Sequence, residues 1–168
     1  MRQTSYSAMQ CSMAHALEAV GDWWSPLILR DLYFGFRRFE DLVEDLGISR
    51  NLLTARLRTL TEHGIVDRSQ YQDRPPRHEY TLSEAGRELV PILMALTAWG
   101  DRWTTPDGGP PVLFRHAACG QEFVPSVTCS ACGRTVRSED VEPVPGPGAK
   151  TAPGTMLVHR FVDGESGA

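Results

Sequence analysis

Residues 47–80 read GISRNLLTARLRTLTEHGIVDRSQYQDRPPRHEY: one helix, then two short strands joined by a turn that carries Arg and Pro. Ser49 suits the N-cap, because its hydroxyl accepts from backbone amides two or three residues on. At about 100° per residue Leu53, Leu57 and Leu60 fall on one narrow arc. Arg50, Thr54, Arg58 and Thr61 fall on another, with Asn51 beside them. Gly64 ends the helix, as a residue tolerant of positive φ does just past a C-terminus. One face must therefore be buried. The other offers the guanidinium, amide and hydroxyl groups that read major-groove edges and hold phosphates.

Taken alone, an amphipathic helix with Arg on its outer face is most often simply solvated. The following residues shift that balance. Ile65–Ser69 and His78–Leu82 have strand composition, and Asp73-Arg74-Pro75-Pro76-Arg77 lies between them. Two prolines without ladder donors belong at a hairpin tip, which then projects Arg74 and Arg77. A reading helix followed by a basic hairpin is the winged helix-turn-helix arrangement, its wing placed to reach phosphates or a minor groove. The charge distribution agrees. The chain of 168 residues has a net charge of −4, yet residues 48–80 carry six arginines against Glu62, Asp67, Asp73 and Glu79. Positive charge is concentrated where an electrostatic footprint is needed; the footprint is modest, so non-specific binding should be weak and salt-sensitive.

Working outward, Cys11–Val20 predicts a first helix, broken by Gly21-Asp22. Trp23–Leu32 predicts a second, with Ser25 as cap and Pro26 at N1, where the missing N–H costs nothing. Phe34-Gly35-Phe36 turns the chain. Arg37 or Arg38 opens a third helix with Phe39, Leu42, Val43 and Leu46 on its core face, and Gly47 ends it just before the reading helix, as in a helix-turn-helix. Ser83 caps a last helix, Glu84 to about Thr104, striped by Leu89, Ile92, Leu93, Leu96, Trp99 and Trp103. A domain this small lacks the surface to cover that stripe, so a second subunit is expected to. Hydrophobic content of 41% and charge of 23% are ordinary for a globular chain. With no apolar run of about 18 residues and no signal-like N-terminus, the expectation is a cytoplasmic protein.

Several of these residues, in their order and spacing, resemble the HxlR family of bacterial winged-helix transcription regulators, relatives of the MarR type. The likeness runs from about Cys11 to Trp103. It includes Gly21-Asp22-Trp23-Trp24-Ser25 into Leu27-Ile28-Leu29, Arg38-Phe39, Gly47-Ile48-Ser49, Leu53, Leu57, Leu60 and Gly64. It continues through Tyr71, Pro75-Pro76, Glu79-Tyr80, Leu82, Gly86, Leu89, Pro91 and Trp99. Trp23 departs from the family, which usually has a basic residue there, and Ser12 replaces the proline that commonly follows the cysteine. The resemblance implies a symmetric dimer built from the first and last helices, and two-fold symmetry predicts a pseudo-palindromic operator.

Residues 1–105 are thus expected to form the winged-helix domain and 106–111 a linker. Beyond it lies a cluster with its own chemistry: His116-Ala117-Ala118-Cys119-Gly120 and Cys129-Ser130-Ala131-Cys132-Gly133. Two ligands two residues apart, followed by Gly, have the form of a zinc knuckle. His116, Cys119, Cys129 and Cys132 would make a closed, structural zinc site, and 112–142 a small β-rich zinc ribbon. Unrelated reduced thiols and a Cys129–Cys132 redox couple are the competing readings; cytosolic chains rarely keep structural disulfides. Residues 143–168 form a Pro/Gly-rich tail, expected to be disordered over 143–155, with a short strand at 156–162.

Cys11 has two readings. It is a small hydrophobe, or, as the resemblance implies, a thiol that senses electrophiles or oxidants and shifts the spacing of two reading helices; the latter needs access and a lowered pKa. The fold expected is mainly α with a small β-hairpin wing. The function expected is a dimeric, sequence-specific regulator, a repressor, that binds double-stranded DNA and answers to an electrophile, oxidant or small ligand. Ser49, Arg50, Asn51, Thr54 and Arg58 would read DNA from the helix; Arg68, Arg74 and Arg77 would hold it from the wing. The alternative is a protein-interaction module that uses winged helix and ribbon as docking surfaces. No spacing unites a nucleophile, base and orienting group, so an enzyme is not expected.

Overall fold

A computed structural model of the chain describes residues 5–104 and 108–155. Among them the order is α1 (Ser12–Val20), α2 (Ser25–Phe34), α3 (Phe39–Leu46), α4 (Arg50–Glu62), β1 (Val66–Asp73), β2 (Pro76–Leu82), α5 (Glu84–Trp103), then β3 (Phe114–Arg115) and β4 (Glu122–Phe123). The core lies where α2, α3 and α4 meet the base of the hairpin. Ile28, Leu29, Leu42, Leu53, Leu57, Leu60 and Val66 are its fully buried side chains. The leucine arc of α4 is thus the face that the spacing required.

The entry to α2 differs from expectation. Ser25 lies inside the helix, and the carboxylate of Asp22 does the capping: Oδ1 accepts from the amides of Trp24 (2.8 Å) and Ser25 (3.1 Å), and Oδ2 from the Ser25 hydroxyl. An aspartate satisfies two orphan donors where a serine would satisfy one. Asp22 Oδ1 also faces Arg56 Nε of α4 at 3.3 Å, so one carboxylate ties the α1–α2 turn to the back of the reading helix.

The helix-turn-helix is α3, the turn Gly47-Ile48-Ser49, and α4. Gly47 takes the left-handed conformation at φ 60°, Ile48 is buried beneath the turn, and Ser49 Oγ accepts from the Leu52 amide at 3.4 Å. Past α4, Gly64 at φ 67° reverses the chain into the hairpin. The strands are antiparallel, pairing Val66 with Leu82 through to Asp73 with Pro76, and shift register at Tyr71. They extend further toward the tip than composition suggested, leaving Arg74-Pro75 as the turn and placing Pro76 and Arg77 at the start of β2. A third edge is added before α3: Arg38 bridges to Glu79, and the Tyr80 amide donates to the Arg37 carbonyl at 2.8 Å.

α5 begins against the hairpin. Ser83 Oγ accepts from the Gly86 amide (3.1 Å) and donates to the carbonyl of Gly64 (2.6 Å) or Ile65 (3.0 Å). A Cβ on Gly86 would stand 2.2 Å from the Ile65 carbonyl oxygen, so only glycine permits this approach. The apolar stripe divides in two. Leu89, Val90, Leu93 and Met94 pack on the core, while Ile92, Leu96, Trp99 and Trp103 stand exposed.

The C-terminal segment consists of two hairpins. Phe114–Arg115 pairs with Glu122–Phe123, and Thr128 bridges to Thr135. Residues 143–155 carry no helix or strand, but the Gln10 amide donates to the Pro153 carbonyl at 3.0 Å, and Gly154 lies against Met9 and Cys11. The strand expected at 156–162 falls outside the described residues.

Candidate nucleic-acid interface

Ser49, Arg50, Asn51, Thr54, Arg58, Arg68, Arg74 and Arg77 are all exposed. Register explains this for the helix: Arg50, Thr54 and Arg58 recur every four residues, on an arc turned about 90° from that of the buried leucines. Their polar groups are not equally placed. Thr54 donates its hydroxyl to the Arg50 carbonyl at 2.8 Å, which commits its one donor and leaves its oxygen as an acceptor. Arg58 pairs loosely with Glu62, 3.6 Å away on the same helix; an exposed pair of that kind contributes little.

Arg50 is held far more firmly. Its Nη1 donates to Glu40 Oε2 at 2.6 Å and its Nη2 to Oε1 at 2.5 Å, while its guanidinium lies 5.3 Å from the centre of the Phe39 ring. The hydrogen bonds from Arg50, and then its charge, hold the Glu40 carboxyl below the usual carboxylate range; Arg77 of the wing adds to this. The same bond raises Arg50 above its ordinary value.

Two hollows join helix and wing. One of about 310 Å³ has Thr54, Arg58 and Thr61 of α4 on one side and Arg68 and Tyr80 on the other. A larger one, 530 Å³, lies between the start of α3 (Arg38, Glu40, Asp41) and Tyr71, Arg77 and His78 of the wing. Arg38 stacks over the Tyr71 ring at 5.3 Å, and Arg68 donates to His78 Nδ1 at 3.1 Å. The structure therefore adds Arg38, Glu40 and His78 to the surface that the sequence assigned to α4 and the hairpin. Glu40 and Arg50 are ten residues apart across a turn, a separation with no periodic signature. The Arg37-Arg38 pair is a visible cation cluster in the sequence, where it reads only as the opening of a helix.

The four expected metal ligands come together in pairs, not as a set. His116 Nδ1 lies 3.3 Å from Cys119 Sγ. The amides of Cys132 and then Ala131 point at Cys129 Sγ and, with the Cys132 thiol, draw its pKa below the ordinary value. The two turns repeat one another bond for bond. Gly120 N donates to His116 O and His116 N to Gln121 O; Gly133 N donates to Cys129 O and Cys129 N to Arg134 O, each at 2.8 Å. Among the described residues, however, no three of His, Cys, Asp or Glu gather as a metal-holding group. Each hairpin closes on itself and, among the described residues, no ladder runs between them, so His116–Cys119 and Cys129–Cys132 stand as two separate pairs. Cys11 is half-buried at the N-cap of α1. No described helix is long and apolar enough to cross a membrane.

The family model described as HxlR-like helix-turn-helix matches residues 19–108. An HTH-type transcriptional regulator of Mycobacterium tuberculosis is 46% identical over 139 residues, covering 83% of this chain and 88% of that one. Another, from Synechocystis, is 43% identical over 94 residues, covering 55% of this chain and 70% of its own. Among solved structures, a candidate transcription factor from Pseudomonas aeruginosa has a TM-score of 0.60 at 36% identity, covering 88% of this chain and all of its own. The redox regulator HypR, in its oxidized form, has a TM-score of 0.52 at 33% identity, covering 58% of this chain and 99% of its own. Some relatives thus match little more than half of this chain, and others more than four fifths of it. On its helix-turn-helix geometry and this likeness together, the chain belongs to the HxlR-like helix-turn-helix family.

Proposed function

We propose that this chain is a dimeric, sequence-specific transcriptional repressor that places α4 in the major groove of a pseudo-palindromic operator. The observation that carries this reading is the division of α4, with Leu53, Leu57 and Leu60 buried and Arg50, Asn51, Thr54 and Arg58 exposed beside a hairpin bearing Arg68, Arg74 and Arg77. Ser49, Arg50, Asn51, Thr54 and Arg58 face base edges; the hairpin arginines hold backbone phosphates or a minor groove. The names of its relatives support regulation of transcription. The exposed apolar faces of α1 (Met13, Leu17) and α5 support a two-fold partner. The matching knuckle turns support zinc as the ion that would join the two C-terminal hairpins through His116, Cys119, Cys129 and Cys132. HypR is named for redox regulation; here such a response would act through Cys11.

Selection of bound duplexes from a random pool, at one stated salt concentration, tests the reading. Enrichment of an inverted repeat is expected, and Arg58→Ala should cost about 1–3 kcal/mol and relax one position in each half-site. A folded dimer that enriches no sequence would overturn it in favour of a module that docks on protein.

A further inference from the structure

We infer that Glu40 is a positioning residue for base recognition, gripping the Arg50 guanidinium end-on so that one defined edge of it faces the DNA. This rests on the reading of α4 as the recognition helix. Arg50 is the first residue of α4, and the N-terminal residues of a recognition helix are those that meet base edges. A guanidinium carries five N–H groups in a fixed fork. The pair with Glu40 engages Nη1 with one oxygen and Nη2 with the other. That uses one N–H of each terminal nitrogen and leaves the Nε–Nη2 edge, whose two parallel donors match O6 and N7 of guanine. Phe39 lies against the guanidinium at 5.3 Å. Oxygens on one side and a ring on another together restrict rotation about the long side chain.

Both partners are well exposed, at 61% for Arg50 and 67% for Glu40. An exposed ion pair adds little to stability, and a carboxylate near DNA repels phosphate, so this pair finds its use in geometry rather than in holding the fold. Glu40 thus exchanges overall affinity for discrimination: it lowers attraction to every duplex and fixes the orientation in which Arg50 prefers one base.

The test uses the full chain as wild type, Glu40→Gln, Arg50→Ala and the double variant. Each is measured on the selected operator and on duplexes altered at single positions, together with a non-specific duplex. Wild type should discriminate at one position of each half-site by roughly tenfold to a hundredfold. In Glu40→Gln that preference should fall at least about fivefold, while non-specific affinity holds or rises. In the Arg50→Ala background Glu40→Gln should change the preference no further, the non-additivity of a coupled pair. If Glu40→Gln tightens all duplexes alike with the preference intact or sharper, Glu40 merely masks Arg50 and the inference is overturned. It is equally overturned if Glu40→Gln loses preference to the same extent at all positions, or still acts without Arg50. Wild type that selects no sequence would remove the recognition reading itself, a failure separate from these.

Discussion

Among the described residues, Asp31 is a buried carboxyl whose enclosure is only partly compensated. It is fully enclosed, its Oδ1 accepts from Arg30 Nε at 2.8 Å and pairs with Nη2 at 2.7 Å, and its buried Oδ2 has no partner. Arg30 reaches Asp45 as well, at 3.1 Å, so α2 and α3 share one guanidinium. Burial, outweighing Arg30, pushes the Asp31 carboxyl above the ordinary aspartate value of 3.8. The folded state therefore binds more protons than the unfolded one between these two values. Stability must fall as pH rises through that window, by about 1.4 kcal/mol for each unit that separates them. Denaturant unfolding at a series of pH values should show this decline in wild type and a flatter profile in Asp31→Asn; superimposable profiles would contradict it. Burial of this kind was not legible in the sequence, where Asp31 looks like any acid on a helix. The cap of α2 departs from expectation for a related reason. Ser25 stands at the expected spacing before Leu27, yet a carboxylate three residues earlier takes the amides of Trp24 and Ser25 itself, which moves the cap upstream.

Elements were more legible than their joints. The bounds of α4 follow from the Leu53-Leu57-Leu60 arc, Ser49 and Gly64, because burial, capping and a left-handed stop all act locally. The hairpin strands run longer than composition indicates, since Gln70, Gln72 and Asp73 carry no apolar alternation. The bridge from Arg38 to Glu79 joins residues far apart in the chain, and no local pattern announces it. The knuckles divide in the same way. Each turn was readable from two ligand-type side chains and a glycine, and Gly120 and Gly133 do adopt φ 70° and 72°; whether four ligands meet depends on contacts between two hairpins. We expect the purified chain to hold one zinc ion per subunit, and Cys129→Ser to lose it. Chelation should raise amide hydrogen exchange across 112–142 and leave α4 unchanged. Protein prepared with zinc present yet lacking stoichiometric metal would remove zinc from the account.

At the level of the whole molecule, the outer face of α5 is an apolar surface that the described residues leave uncovered. Ile92, Leu96, Trp99 and Trp103 follow one another at intervals of four, three and four residues, a single helical seam, each more than half exposed. Leu96→Glu should yield a folded monomer in sedimentation equilibrium and weaken operator binding by about 100-fold, since two linked half-site contacts become one. A dimer that survives Leu96→Glu would move the interface elsewhere. The other end of α5 is seated differently, through Gly86 against the Ile65 carbonyl and Ser83 on Gly64 and Ile65. A helix of 20 residues is a rod about 30 Å long. With one end clamped to the root of the wing, it works as a lever with no slack at the fulcrum. A tilt of about 5° along such a rod displaces its far end by about 2.6 Å, about three-quarters of the rise of one base pair, so in the proposed dimer small adjustments at the seam would become measurable changes in the span between two wings.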